Sequence, residues 1–571
     1  MIVKVDNLSK TFELDNGEKV KALDGISFEV EKGEILGIIG KSGSGKTTLL
    51  RTLRGVEHVE EGEIQVGRLH ITPDTTPHYY HELKKITAIH LQRNFGIWPE
   101  TPYNNVLRKL YANDYGDESM VDFQLAEQLH GEEALKILKL VGLYDKKDHL
   151  GTVLSGGEKQ RLIMARELAK KPEVLLLDEP ATMACPRTKQ GILDAIKNIN
   201  KELGITVIVV SHLPEVHKYL STRLIHIENG KIVDEGDVEP VIQNFLKEME
   251  PVSDINIAST DESVIKIEDV FKRFFLLTGG EVLDMKNINL ETYKQNILSL
   301  IGPSGAGKTI LLRMLGGLEI PDDGEILYKL VKEDGSVEWV DIATASMSRL
   351  DIRRKSTFMH QEFALTHYST VRDQLATKLG YKNRKLIDKA KEHAKEINLS
   401  DELLDALYLL TDLPINEVSD RLMQVGLPAD ILEELFPKFP SDDVEEEVAD
   451  IFEDLNLSMD ILDRKSYELS GGQKVRVMLA LQLISRPEIL LLDEPFGDLD
   501  PITLRTVTNS LKRLAKRLNF TVVMVSHNTD FVKEFANRAV FMNEGEIIGD
   551  GKPDKLVNEF INFCHADYLM Q

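Results

Sequence analysis

The chain has 571 residues and a formal net charge of −25 at pH 7, which speaks against a nucleic-acid partner because DNA and RNA binding depends on neutralising phosphates. Its two cysteines are too few for a disulfide framework or an iron–sulfur domain. No apolar run approaches the roughly 20 residues of a membrane helix, and the first residues are typical of a strand rather than a signal peptide. We therefore expect a cytoplasmic protein with no nucleic acid partner and no membrane insertion.

The first predicted elements form a strand–loop–helix unit. Residues 1–12 alternate apolar and polar side chains, which predicts a strand of an antiparallel sheet, and residues 34–39 are an apolar run that predicts a buried strand. A glycine-rich loop follows, and then a helix is predicted over residues 48–53. The same elements return in the same order at residues 264–275, 297–301 and 310–315.

The glycine-rich loop of each copy has the Walker A pattern. In such loops, glycines let backbone N–H groups curl around phosphates, a lysine reaches the β- and γ-phosphates, and a hydroxyl group meets Mg²⁺. The predicted ATP-binding residues are Gly40, Ser42, Gly43, Gly45, Lys46, Thr47 and Thr48 in the first copy and Gly302, Ser304, Gly305, Gly307, Lys308 and Thr309 in the second. The helix that follows places its N-terminus at the phosphates, where its dipole favours anions.

Three further motifs follow in both copies with identical spacing. A Leu-Ser-Gly-Gly sequence comes first, an Asp-Glu pair ends an apolar strand 23 residues after its serine, and a Ser-His pair has its histidine 34 residues after that aspartate. The residues are Ser155, Gly156, Gly157, Asp178, Glu179 and His212 in the first copy and Ser470, Gly471, Gly472, Asp493, Glu494 and His527 in the second. The repetition predicts two ATPase domains.

Composition predicts where one domain ends and the next begins. We expect a first ATPase domain over residues 1–238, a short helix and polar linker over 239–263, and a second ATPase domain over 264–571. Within the linker, Glu239-Pro240 is expected to precede an amphipathic helix.

The second domain is longer than the first in one segment. Gln361 and Ser470 are separated by about 46 more residues than their counterparts Gln92 and Ser155. We predict an acidic helical insertion at about residues 385–445, because residues 401–460 hold 18 acidic and two basic side chains among regularly spaced leucines. The insertion is either a solvated helical face or a docking surface for a basic partner.

Residues 154–161 and 469–476 resemble the signature motif of ATP-binding-cassette (ABC) domains. The resemblance covers both halves and implies an α/β fold of two tandem ABC-type P-loop nucleotide-binding domains, each with a RecA-like core, an antiparallel β subdomain and a helical subdomain. It also implies that the two domains of one chain form an ATP sandwich, in which Lys46 faces the Ser470 signature and Lys308 faces the Ser155 signature.

The same resemblance implies a role for each site residue. Glu179 and Glu494 would be general bases, and His212 and His527 would contact the γ-phosphate. The implied Mg²⁺ site consists of Thr47, Gln92 and Asp178 in the first copy and of Thr309, Gln361 and Asp493 in the second. Both sites keep these groups, so we expect both to hydrolyse ATP.

Two phenylalanines have two possible roles. Phe12 and Phe274 align with the position at which ABC domains stack an aromatic ring on adenine. Alternatively, they are core residues of the edge sheet, because phenylalanine is mostly buried.

One position departs from the family pattern. The loop after the second Asp-Glu pair ends at Asp500, which in this family reaches across the domain interface, whereas the first copy has Cys185 there. This difference indicates either inequivalent ATP sites or a redox-sensitive thiol.

Four histidines precede Gln92 and raise the question of a metal site. His70, His78, His81 and His90 lie in one stretch, which is either a surface loop with polar aromatic residues or, with further ligands, a metal site.

Short sequences around the motifs are similar to a narrower family, the ATP-binding activation component (component A-two) of methyl-coenzyme M reductase from methane-producing archaea. They lie at residues 53–57, 88–93, 154–161, 211–216, 360–362 and 526–527. The resemblance implies a soluble ATPase that drives reductive activation of the reductase's nickel cofactor, with the reductase and its activation proteins as partners. The alternative is a fused ATPase subunit of an ABC transporter that docks on separate membrane subunits.

Overall fold

The computed structural model describes most of the chain. Outside the described part lie residues 14–18, 91–95, 183, 256, 258–259, 277–279, 333, 345, 361–364, 380–383, 398, 401–402, 405, 408–420, 423–426, 429–430, 437–440 and 571. These include Gln92 and Gln361 and much of the predicted acidic insertion.

The described part of the first half contains two β-sheets. The strands are β1 (Val3–Glu13), β2 (Lys19–Val30), β3 (Ile35–Ile39), β4 (Glu61–Val66), β5 (Leu69–Ile71), β6 (Thr87–His90), β7 (Val174–Asp178), β8 (Thr206–Val210), β9 (Arg223–Glu228) and β10 (Lys231–Gly236). An antiparallel sheet has the order β2-β1-β4-β5, and a mainly parallel sheet has the order β10-β9-β3-β8-β7-β6. Every residue of β3, β7 and β8 is buried, as expected for the central strands of a sheet covered on both faces.

The described part of the second half repeats this topology. Its strands are β11 (Ser263–Leu276), β12 (Gly280–Tyr293), β13 (Ile297–Ile301), β14 (Asp323–Val331), β15 (Val337–Asp341), β16 (Ser356–Met359), β17 (Ile489–Asp493), β18 (Thr521–Val525), β19 (Arg538–Asn543) and β20 (Glu546–Gly551). The orders β12-β11-β14-β15 and β16-β17-β18-β13-β19-β20 match those of the first half strand for strand. The duplication inferred from the motifs is therefore a duplication of fold.

Helices cover both faces of the parallel sheets. In the first half they are Lys46–Leu53, Pro77–Ile86, Pro102–Tyr115, Phe123–Leu140, Gly156–Leu168, Pro186–Leu203, Pro214–Leu220 and Val238–Phe245. In the second half they are Lys308–Leu315, Met347–Lys355, Val371–Leu379, Arg384–Glu396, Ile431–Leu435, Ser441–Asp454, Gly471–Leu483, Pro501–Leu518, Thr529–Phe535 and Pro553–Phe563. In the part of the chain that the structure describes, each helix is too short or too polar to span a lipid bilayer.

The linker helix begins earlier than the sequence predicted. It spans Val238–Phe245, so Glu239 and Pro240 form its first turn rather than preceding it. Proline is tolerated there because its missing N–H group would have no partner inside the helix.

The described part of the predicted insertion contains several helices. Arg384–Glu396, Ile431–Leu435 and Ser441–Asp454 are helices. Ala390, Leu432 and their neighbours form a small hydrophobic cluster that is separate from the main cores. The described leucines therefore bury their side chains within the insertion, as their spacing indicated, while acidic residues such as Glu445 and Glu446 are exposed.

The two halves are held together by the linker and the C-terminal segment. After the linker helix, Glu248 pairs with Lys41 of the first glycine-rich loop at 2.6 Å, and the carbonyl oxygen of Glu250 accepts a hydrogen bond from Arg505 of the second half at 3.0 Å. At the C-terminus, the buried Tyr568 donates its backbone N–H to Gln190 of the first half at 3.0 Å. The linker and the C-terminal segment therefore each contact the opposite half.

Candidate functional site

Each glycine-rich loop carries the chain from a buried strand into a helix. β3 runs into Lys46–Leu53, and β13 runs into Lys308–Leu315. Gly45 adopts φ 102°, and a Cβ atom there would lie 2.2 Å from the carbonyl oxygen of Ala22. Only glycine fits this close approach, which leaves the loop's N–H groups and the helix N-terminus free to surround an anion.

The Walker lysines are buried and donate to carbonyl groups of their own loops. Lys46 Nζ lies 2.8 Å from Gly40 O and 2.7 Å from Lys41 O, and Lys308 Nζ lies 2.9 Å from Gly302 O and 2.8 Å from Pro303 O. Burial lowers the pKa of both ammonium groups, and nearby carboxylates oppose that shift. A buried cation at the base of a phosphate loop supplies charge where transferring phosphoryl groups need it.

A hydroxyl and a carboxylate meet beside each loop. Thr47 Oγ1 donates to Asp178 Oδ1 at 3.3 Å, and Thr309 Oγ1 donates to Asp493 Oδ1 at 3.0 Å. Burial raises the pKa of Asp178 to about 6 and also raises that of Asp493. Hard oxygen donors of this kind suit Mg²⁺, and a cation would offset the burial of the carboxylate. The predicted ligands Gln92 and Gln361 lie outside the described residues.

Glu179 is held by four hydrogen bonds from its own half. Oε1 accepts from the backbone N–H of His212 at 3.0 Å and contacts His212 Nδ1 at 2.7 Å. Oε2 accepts from the hydroxyl groups of Thr182 at 2.8 Å and Ser211 at 3.2 Å.

Burial alone would raise the pKa of Glu179, but the charge and hydrogen bond of His212 lower it to about 2. The pKa of His212 is raised in return, because its interaction with Glu179 outweighs burial. The two side chains thus form an ion pair.

Glu494 occupies the same position in the second half with fewer partners. Oε2 accepts from the backbone N–H of His527 at 3.0 Å, and Oε1 is buried with no hydrogen-bond partner among the described residues. His527 Nε2 is 3.3 Å from Oε1. Burial raises the pKa of Glu494 to about 7 and lowers that of His527 well below its ordinary value, so this pair is far less ionised than its counterpart.

The signature serines begin helices with exposed backbone donors. Ser155 caps Gly156–Leu168 in a capping box with Glu158, and Ser470 caps Gly471–Leu483 in a capping box with Gln473. Because each side chain satisfies part of the first turn, the helix ends are well defined, and each carries the positive end of its helix dipole.

The second signature helix faces the first glycine-rich loop. A Cβ atom built on Gly471 would lie 3.5 Å from Ser42 Oγ and 3.8 Å from Ser42 Cβ. This places the signature of one half against the Walker loop of the other. The equivalent position in the first signature is more open, because a Cβ on Gly156 would have no described heavy atom within 4 Å.

Asp500 lies at the same interface beside the first loop. It caps Pro501–Leu518 by accepting from Thr503 N at 3.0 Å and Thr503 Oγ1 at 2.8 Å, and it is buried. Burial lowers the pKa of Lys46, and the charges of Glu179 and Asp500 oppose that shift. The charge of Asp500 therefore acts on the Walker lysine of the other half.

Cys185 takes the corresponding place beside the second loop. Its thiol donates to Thr188 Oγ1 at 3.3 Å and is hydrogen-bonded to Ser304 of the second Walker loop. Burial would raise the pKa of Cys185, but these hydrogen bonds hold it below its ordinary value. The interface therefore has a carboxylate on one side and a buried thiol on the other.

Neither predicted adenine-stacking phenylalanine is a core residue. Phe12 is 37% exposed and Phe274 is intermediate. Lys10 Nζ lies 5.5 Å from the centre of the Phe12 ring, and Lys272 Nζ lies 5.3 Å from that of Phe274.

The four histidines do not share a surface loop. His70 lies on β5 and contacts Glu63 at 2.9 Å, His78 and His81 lie on Pro77–Ile86, and His90 is buried at the end of β6. Their positions alternate between strand and helix because the polar stretch folds into regular elements. Among the described residues, no group of three or more potential ligands is placed to hold a metal ion.

Two hydroxyl groups on Glu179 were missed by the sequence analysis. Ser211 was visible only as part of the Ser-His pair, and Thr182 stands where the second half has Gly497. The sequence could have indicated the Thr182 contact, because the same repeat position holds threonine in the first half and glycine in the second.

The chain is similar to known ABC proteins along its whole length. The family model described as ABC transporter matches residues 23–182 and 285–497. An uncharacterized ABC transporter ATP-binding protein of Methanocaldococcus jannaschii is 47% identical over 574 residues, covering 100% of this chain and 98% of that protein. A second such protein of the same organism is 31% identical over 595 residues, covering 98% and 96%.

Solved structures share the tandem arrangement. The RNase-L inhibitor structure matches with a TM-score of 0.58 at 18% identity, covering 98% of this chain and 93% of that one. An archaeal ribosome recycling factor, solved with a ribosomal stalk protein, matches with a TM-score of 0.57 at 18% identity, covering 98% and 92%. At this identity the likeness concerns the fold. The chain belongs to the ATP-binding-cassette family and is a tandem ABC ATPase with two cassettes in one polypeptide.

Proposed function

We propose that the two cassettes close on two Mg·ATP molecules, each bound by the Walker loop of one half and the signature helix of the other. The observation that carries the proposal is the approach of Gly471 to Ser42. The charge of Asp500, which raises the pKa of Lys46 across the same interface, supports it. Bound ATP would add charge-assisted contacts that only the closed state provides, which is the requirement for a ligand-driven conformational change.

Each residue has a role in this proposal. Thr47 and Asp178, with Gln92, would hold Mg²⁺ at the first site, and Thr309 and Asp493, with Gln361, would hold it at the second. A bound Mg²⁺ would supply positive charge for the phosphates. Glu179 and Glu494 accept the proton of the attacking water, and His212 and His527 contact the γ-phosphate. Phe12 and Phe274 stack on the adenines. The proximity of hydroxyl, carboxylate and loop lysine in each half supports these roles.

We further propose that closure drives the reductive activation of methyl-coenzyme M reductase, and that the protein works in the cytoplasm beside that enzyme. The support is the set of short sequences that resemble the activation component, such as residues 88–93 and 211–216. The chain itself would move or clamp the proteins that carry the electron-transfer centres. The acidic insertion, with Glu445 and Glu446 exposed, is the surface we assign to docking.

The experiment traps the closed state and identifies what it holds. Glu179→Gln and Glu494→Gln are combined in a tagged protein in its native host, and ATP-dependent partners are identified by mass spectrometry under anoxic conditions. Recovery of the reductase with iron–sulfur proteins is expected. A Lys46→Ala, Lys308→Ala protein is the matched control and should recover neither.

A different set of partners would redirect the assignment. If the trapped protein recovers membrane proteins with several spanning helices instead, reductase activation is wrong and the chain is the ATPase subunit of a transporter. ATP-sandwich formation would stand in either case, because it depends on the cassettes alone.

A further inference from the structure

The two glutamates next to the Walker aspartates differ in how firmly they are held. Both oxygens of Glu179 are engaged by four donors, two of them the hydroxyl groups of Thr182 and Ser211. In the second half, Glu494 accepts one backbone hydrogen bond, and its Oε1 has no hydrogen-bond partner among the described residues. The chemistry of the two positions is therefore unequal although the motifs are the same.

One of the missing contacts is explained by a single position of the loop after the Asp-Glu pair. The other two come from residue types that both halves share, since Ser526 and His527 stand where the first half has Ser211 and His212. Counting three residues from each glutamate gives Thr182 in the first half and Gly497 in the second. The Thr182 hydroxyl reaches Glu179 Oε2 at 2.8 Å, and a glycine has no side chain to do so. The sequence therefore gives Glu179 one hydroxyl partner that Glu494 cannot have.

A general base must present a free lone pair to the water that it deprotonates. Glu179 faces His212 and the two hydroxyls, so it must give up some of these contacts before it accepts a proton from water. Glu494 Oε1, although buried, has no hydrogen bond to give up among the described residues. The first site carries this restraint even though its neighbour across the interface is the family-type Asp500, whereas the second site has Cys185 there.

We propose that Thr182 is a positioning residue that restrains Glu179, so that the site built on Lys308 hydrolyses ATP faster than the site built on Lys46. This inference rests on the residue roles proposed above. The two ATP sites would then have different functions. The Lys308 site turns over, and the Lys46 site holds its nucleotide longer and keeps the cassettes closed.

The test isolates one site at a time in the full-length chain with Mg·ATP. In a Glu494→Gln background, hydrolysis reports the first site, and Thr182→Val removes the hydroxyl at nearly constant volume. We expect the kcat of that site to rise about 3- to 10-fold while KM stays unchanged, since only the approach of water is affected. Thr182→Ser keeps the hydroxyl and is expected to restore the slow rate.

The reciprocal variant makes the test independent of any damage to the first half. In a Glu179→Gln background, Gly497→Thr adds the hydroxyl beside Glu494 and is expected to lower the kcat of the second site about 3- to 10-fold. Thermal unfolding and ATP affinity of each variant establish that folding and binding are intact.

Three outcomes would overturn the inference. The first is a Thr182→Val protein that is slower than, or equal to, its parent. The second is a Thr182→Ser protein that behaves like Thr182→Val, because the hydroxyl would then be irrelevant. The third is a Glu179→Gln, Glu494→Gln protein with the wild-type rate, which would refute the roles of the glutamates and the restraint with them. A slow double variant combined with either of the first two results would refute the restraint alone.

Discussion

Replacing both Glu179 and Glu494 with glutamine is expected to lower the steady-state ATP hydrolysis rate about 10²- to 10⁴-fold, the usual contribution of a positioned general base. Glutamine keeps the size of the side chain, and its oxygen can still accept the hydrogen bond from the backbone N–H of His212 or His527. It cannot accept a proton from water. ATP affinity should therefore be retained. Release of inorganic phosphate and equilibrium binding of labelled ATP, measured on the same samples, separate the two effects.

The single variants sharpen this expectation. Among the described residues Glu494 Oε1 has no hydrogen-bond partner, whereas Glu179 is held by four hydrogen bonds. Glu494→Gln should therefore remove most of the turnover and Glu179→Gln the smaller part. Equal losses in the two single variants would contradict unequal sites. An unchanged rate in the double variant would contradict the assignment of these residues as bases.

The second large effect concerns the backbone of the first glycine-rich loop. Gly45→Ala is expected to destabilise the protein by about 3 kcal/mol, because a Cβ atom would lie 2.2 Å from the carbonyl oxygen of Ala22 and the residue has φ 102°. The carbonyl belongs to the backbone and cannot rotate aside. Urea-induced unfolding of the nucleotide-free protein measures the loss, and ATP binding should fall with it.

Gly43→Ala is the matched control for that prediction. Gly43 also has a positive φ, 82°, but a Cβ there would have no described heavy atom within 4 Å. Gly43→Ala should lower the free energy of unfolding by only about 1 kcal/mol, the contribution of backbone strain. If both alanine variants unfold at the same urea concentration, the contact with Ala22 does not constrain the loop.

The sequence predicted the parts of the fold that depend on local patterns. Apolar runs placed β3 and β13 within a residue of their observed starts, and the repeated motifs predicted the repeated sheets. The linker helix was predicted too late because a proline was taken as preceding it. The histidine stretch was expected to be a loop, and its alternation between strand and helix depends on packing that local composition does not encode.

The site was predictable as a set of residues and not as a set of contacts. The motifs placed Lys46, Asp178 and Glu179 near one another because each ends or begins an element at the same edge of a parallel sheet. They did not reveal that the Thr182 hydroxyl reaches Glu179, since that contact depends on how the intervening loop turns. The closeness of Gly471 to Ser42 likewise comes from the docking of two halves, which no single motif specifies.

A disulfide across the domain interface tests the central claim most directly. Ser42→Cys and Gly471→Cys are introduced into a chain whose own cysteines are changed to alanine. Their Cβ atoms would lie 3.8 Å apart, which suits a disulfide bond. The control pair is Ser304→Cys with Gly156→Cys, because the open position at Gly156 should cross-link more slowly.

The ATP-sandwich account predicts a rapid cross-link within one chain at Ser42 and Gly471, seen as a mobility shift without reductant and confirmed by mass spectrometry. A pair that stays reduced, or that links only different chains, would show that the two cassettes of one polypeptide do not face each other in this way.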